Sequence, residues 1–139
     1  MTVQSVQAPP RGRTAVLVLA ALVVVATATT LVSLAAIALG AEPDFGPLQP
    51  AAYLPYAIIG TLAALGGWVL VVRFVARSAR LLRVVVPVLV GLSVIPDIAL
   101  LVTGSIPGTT TVGVVALMLM HPLVAVAAVF TGRMIAPPR

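Results

Sequence analysis

The chain contains no cysteine and no lysine, and only 3 of its 139 residues are acidic. Without cysteine there can be no disulfide, no thiolate metal site and no thiol catalysis. Charged residues of either sign make up only 8% of the chain, while hydrophobic residues make up 61%. A soluble domain is roughly half apolar and a quarter charged, so this composition excludes an ordinary water-soluble fold. Aromatic residues are equally scarce, at 4%. The net charge of +5 therefore does not describe a nucleic-acid surface, in which basic and aromatic side chains would be interleaved along one stripe. The arginines flank apolar runs instead, as membrane topology and anionic headgroups require, and no nucleic-acid partner is expected.

What the chain does have is four long apolar runs, and all eight basic residues fall on one side of them. Arg11 and Arg13 precede the first run. Arg73, Arg77, Arg80 and Arg83 separate the second from the third, and Arg133 and Arg139 follow the fourth. The other two connections carry no basic residue. Basic residues resist translocation, so this pattern predicts a plasma-membrane protein with both termini in the cytoplasm. The fold class expected is all-α, an antiparallel bundle of four transmembrane helices spanning about 14–39, 53–72, 84–102 and 112–131. Residues 1–13, with Ala8-Pro9-Pro10, read as a disordered cytoplasmic tail, 14–132 as the membrane domain and 133–139 as a second cytoplasmic tail. A signal peptide cleaved near Gly40 is the rival reading of the first run. Signal cores span only ~7–15 residues, and the uncharged length from Thr14 to Leu39 favours a retained helix.

The connections have their own signals. Pro43, Pro47 and Pro50, with Gly40 and Gly46, forbid a continuous helix between the first two spans. Glu42 and Asp44 in this loop suit the outer side and lack the spacing of a calcium loop. Tyr53 and Tyr56 at the start of the second span, and Trp68 near its end, occupy positions typical of interfacial aromatic belts. Gly60, Ala64 and Gly67 form a small-residue stripe, the best candidate packing face on that span, and Ala125, Ala128 and Gly132 form another on the fourth, expected to face a neighbouring helix. The basic segment Arg73, Arg77, Arg80 and Arg83 reads as a hairpin lying against anionic lipid on the cytoplasmic side.

Two ionisable residues lie inside the spans, Asp97 and His121. A central Asp costs ~2.5–3.5 kcal/mol on insertion scales, so each needs an explanation. At ~1.5 Å per residue, Asp97 lies roughly 21 Å beyond Arg83 and His121 roughly 18 Å before Arg133. Thr27 and Thr61 fall at similar depth by the same arithmetic, and Ser93 shares a helix face with Asp97. The expectation is a polar layer to which every span contributes, with Asp97 and His121 paired and Ser93, Thr27 and Thr61 in support. Pro96 is expected to kink the third helix and to put Asp97 in the first turn of a new half-helix.

Ser93-Val94-Ile95-Pro96-Asp97 on the third span and Leu119-Met120-His121 on the fourth complete an outline that resembles actinobacterial four-helix membrane proteins grouped as a domain of unknown function. The likeness covers most of residues 14–132, with Pro122 departing from it where an apolar residue is expected. It implies a four-span topology and brings no activity or assigned site.

The pair reads first as a buried lock that fixes helix register, within a non-enzymatic structural or interaction protein assembling through helix–helix contacts. A homo-oligomer or a membrane partner protein would complete it. The alternative is a proton-linked carrier or pH sensor, since histidine changes charge between about pH 5 and 8. No nucleophile stands with a base and an orienting group, so no enzyme is expected. No metal or cofactor is expected either: one histidine, with Met118 or Met120 as a distorted second ligand, makes a poor haem site.

Overall fold

A span of about 20 apolar residues crosses the hydrocarbon core of a bilayer, and the chain folds into four helices that exceed that length. A computed structural model describes residues 11–139, the side chain of Arg11 excepted. Its helices are α1 (Arg11–Ala38), α2 (Pro50–Phe74), α3 (Ser78–Thr103) and α4 (Thr111–Ile135), with a short 3-10 turn at Gly46–Leu48. All four are long and apolar enough to span a membrane, so this is an all-α, multi-pass membrane protein. The first ten residues of the expected N-terminal tail lie outside the described residues. Arg11–Arg13 already form the first turn of α1.

Local chemistry sets the helix ends. Gly40, at φ +99°, lets the chain leave α1 in a left-handed turn, in which Ala41 N–H bonds to Ala36 C=O at 2.9 Å and Gly40 N–H to Ile37 C=O at 3.1 Å. These two bonds satisfy carbonyls that the helix end would otherwise leave open. Pro50 opens α2 at a position where a missing N–H costs nothing. Thr110 caps α4 by accepting from Gly113 N–H at 3.1 Å. The three-residue turn after Phe74 brings α3 back antiparallel to α2.

The bundle is unequal. α4 is its hub and packs against each of the other three helices, whereas α2 and α3 touch only sparsely. Every arginine in the described residues stands at one end of the bundle, and Glu42 and Asp44 stand at the other. At this second end, the 40–49 connection folds inward as a plug. Phe45 and Leu48 are fully buried with Ala36, Tyr53, Val114, Ala116 and Met120. A methyl group on Gly113 would lie 3.1 Å from the Phe45 ring, so the absence of a side chain there makes room for the plug.

α3 is the least embedded helix. From Arg83 to Thr103 no residue is fully buried, although Leu82 and Ser78 at its start are. It also runs unbroken through Pro87 and Pro96, so the expected half-helix is not formed and Asp97 stands within a continuous helix. Pro96 still lacks an N–H, which leaves the Leu92 carbonyl without its usual partner, but the backbone absorbs this without ending the helix.

Candidate functional site

Asp97, in the last two turns of α3, and His121, near the middle of α4, meet across the helix seam. His121 Nε2 lies 2.9 Å from Asp97 Oδ2. This is the only ion-pair contact among the described residues. The contact carries one shared proton: a ring N–H donates to a carboxylate, or a protonated carboxyl donates to the ring nitrogen. About a third of the histidine side chain and a seventh of the aspartate remain exposed, at 35% and 14%. The pair lies partly buried on the α3–α4 seam.

The supporting layer does not assemble. Ser93 donates to its own helix at Val90 C=O, 2.7 Å away, and Thr61 does the same to Ala57 C=O at 2.7 Å. Both hydroxyls are satisfied within one turn and have no need of the pair. Thr27 is exposed on the outer side of α1. A depth calculation fixes height along a helix but not rotation about it, and Thr27 points the wrong way. The inward polar residues of α1 are Thr29, Thr30 and Ser33. Thr29 back-bonds to Val25 C=O at 2.9 Å, Ser33 donates to Leu48 C=O at 2.9 Å, and Tyr53 Oη donates to Thr30 Oγ1 at 3.1 Å. Ser33 and Tyr53 thus fasten the plug and the start of α2 to α1. No buried side-chain nitrogen or oxygen among the described residues lacks a partner.

The aromatic belt is corrected in the same way. Tyr56 is 79% exposed and faces outward as a belt residue would, but Tyr53 is turned inward by its bond to Thr30. Trp68 is buried, with its Nε1–H donating to Ala136 C=O at 2.9 Å and its ring lying on Gly132. A methyl on Gly132 would come within 2.7 Å of the indole. The close helix approach therefore uses Gly132 of the stripe on α4 rather than the stripe on α2. Gly60 does face α4, with Val124 4.0 Å from where its methyl would be, and Ala64 lines a crevice shared with α3 and α4. Gly67 meets nothing. The face of α2 that packs is Tyr53, Ala57, Thr61, Leu65 and Trp68. On α4, Ala128 is buried and Ala125 lies along the seam with α3.

Arg73, Arg77, Arg80 and Arg83 are all exposed around the α2–α3 turn, with Arg73 stacked 5.9 Å above the Phe74 ring. The 133–139 segment is tied back as well as projecting. Ala79 N–H bonds to the Arg139 backbone oxygen at 2.8 Å, and Arg139 N–H bonds to Ser78 Oγ at 2.9 Å. These bonds satisfy groups at the open N-terminus of α3. α3 is therefore held by polar contacts near both ends, Ser78 and Ala79 at one and Asp97 at the other. Among the described residues no three carboxylate or histidine side chains gather closely enough to hold a metal ion. No protein-family model, curated protein or solved structure matches the chain.

Proposed function

We propose that this is a small plasma-membrane protein with both termini cytoplasmic, acting without catalysis as a structural or interaction element through helix–helix contacts. One observation carries the reading: the Asp97–His121 contact joins two helices, and among the described residues no third side chain hydrogen-bonds to it. A proton path or a reacting centre needs a succession of polar groups, and the nearest candidates spend their hydroxyls on their own helices. A tie needs only two groups. α3 has few buried side chains to hold it, so a polar tie near its end contributes more there than on a deeply packed helix. The one-sided distribution of arginine supports the cytoplasmic assignment of that end of the bundle.

A second reading is favoured by the partial exposure of the His121 side chain, about a third of which is open to the surroundings of the bundle. On that reading the pair senses or carries protons. The two are separated by Asp97→Asn and His121→Ala in protein reconstituted into bilayers. The structural tie predicts lower thermal stability or loss of assembly, with little change in any pH response. A protein that stays as stable as the parent but loses a response between about pH 5 and 8 supports the proton-linked reading instead.

A further inference from the structure

On the outer face of the α3–α4 seam lies an apolar groove of about 400 Å³, lined by Val86, Pro87 and Val90 of α3 and by Pro122, Val126 and Phe130 of α4. From Pro122 to Phe130 it extends roughly 12 Å along the helix, at ~1.5 Å per residue. Its walls are almost wholly hydrocarbon, and its floor is where the two helices meet. In a bilayer such a trough holds an acyl chain.

The end of the groove makes it selective. At about 100° per residue, Arg83 falls within about 60° of Val86, Pro87 and Val90 around α3, at the middle of the arc they cover. Arg133 falls within about 60° of Pro122, Val126 and Phe130 around α4 by the same arithmetic. Each arginine thus stands one turn beyond the groove, on the helix face that lines it, and both stand at the same end of the bundle. Both side chains are exposed, and neither has a carboxylate within ion-pair distance, the Asp97–His121 contact being the only pair among the described residues. Two unpaired guanidinium groups at the mouth of a hydrocarbon trough match a phosphodiester joined to an acyl chain. Guanidinium also binds phosphate oxygens through paired, charge-assisted hydrogen bonds.

We propose that the α3–α4 seam is a specific site for one anionic glycerophospholipid, its phosphate held between Arg83 and Arg133 and an acyl chain lying in the groove. The site is separate from the Asp97–His121 tie and does not depend on the role assigned to it. It also differs from general attraction of the basic turn to a charged surface, because it joins one arginine from each of two helices to one groove.

The test is native mass spectrometry of the full chain released from micelles doped with phosphatidylglycerol or phosphatidylcholine of matched acyl chains. The parent protein is expected to retain phosphatidylglycerol in preference, with one lipid bound. Arg83→Gln/Arg133→Gln should cut that preference by about thirtyfold, as loss of two membrane-facing charges implies. Arg73→Gln/Arg77→Gln, away from the groove, should leave it intact. Val90→Trp, which fills the trough, should lower retention with both arginines present, and soluble glycerol phosphate should not compete. An equal loss in the Arg73/Arg77 variant would reduce the site to diffuse surface charge and overturn the proposal. So would competition by glycerol phosphate, retention unaffected by Val90→Trp, or cross-linking of Val126→Cys between two copies, which would make a second chain the occupant.

Discussion

His121 faces Asp97 on one side and the surroundings of the bundle on the other, and removing it alone is the costly change. His121→Ala leaves a carboxylate near hydrocarbon without its partner, where an unpaired aspartate costs ~2.5–3.5 kcal/mol if central. Replacing both residues with leucine removes the charge as well as the tie. Chemical or thermal unfolding in bilayers should therefore rank His121→Ala below the Asp97→Leu/His121→Leu double variant. Gly132 offers a second test at this scale. Its missing side chain admits the Trp68 ring, so Gly132→Ala should destabilise the protein by about 1–3 kcal/mol through overpacking. The matching control is Gly67→Ala, which meets no neighbour and should be close to neutral or slightly stabilising. The two glycines look alike in the sequence. What separates them is rotation about the helix axis, and a nearly uniform apolar span carries little information about that.

At the scale of the helices, the packing faces follow a readable spacing once it is known. Ala21, Val25, Thr29, Ser33 and Ala36 line the buried side of α1, and Tyr53, Ala57, Thr61, Leu65 and Trp68 that of α2. Both sets advance in the same steps of four, four, four and three, close to the helical repeat. Inside a membrane the usual contrast between apolar and polar faces disappears, and small or weakly polar residues mark the buried side instead. Thr29 and Ser33 carried that mark, whereas the choice of Thr27 rested on depth alone. Helix number and the arginine-rich turn were legible because charge, proline and glycine interrupt the runs. By contrast, α3 begins at Ser78 and α4 continues to Ile135, beyond the spans expected, because arginine bounds an apolar run without ending a helix. The Asp97–His121 contact could be anticipated because two rare side chains at one height have few other partners. The plug at the loop end could not be read in this way: Phe45 and Leu48 are isolated apolar residues among prolines, and only their burial, with Phe45 against Gly113, reveals their role. Phe45→Ala should cost about 3 kcal/mol in unfolding measurements, the range for emptying a buried aromatic site. Its effect should concentrate at the end of the bundle where α1, α2 and α4 meet, and hydrogen exchange would localise it there.

Across the whole molecule, the absence of native cysteine makes threading straightforward to measure. Single cysteines at exposed Asp44 and Ala76 sit at opposite ends of the bundle. A membrane-impermeant maleimide applied to intact cells should label the Asp44→Cys protein, and should label Ala76→Cys only after permeabilisation. The reverse pattern would invert the topology while leaving the bundle intact. Threading and packing are thus separable properties of the bundle. α4 carries the contacts, and α3 hangs on it through few buried side chains and a polar tie near each end. The most direct measurement is the coupling energy between Asp97 and His121, from the stabilities in bilayers of the parent, Asp97→Leu, His121→Leu and the double variant. A favourable coupling of about 0.6–1.7 kcal/mol, the range for polar contacts between membrane helices, is the result predicted. Coupling indistinguishable from zero, with both single variants as stable as the parent, would contradict the tie.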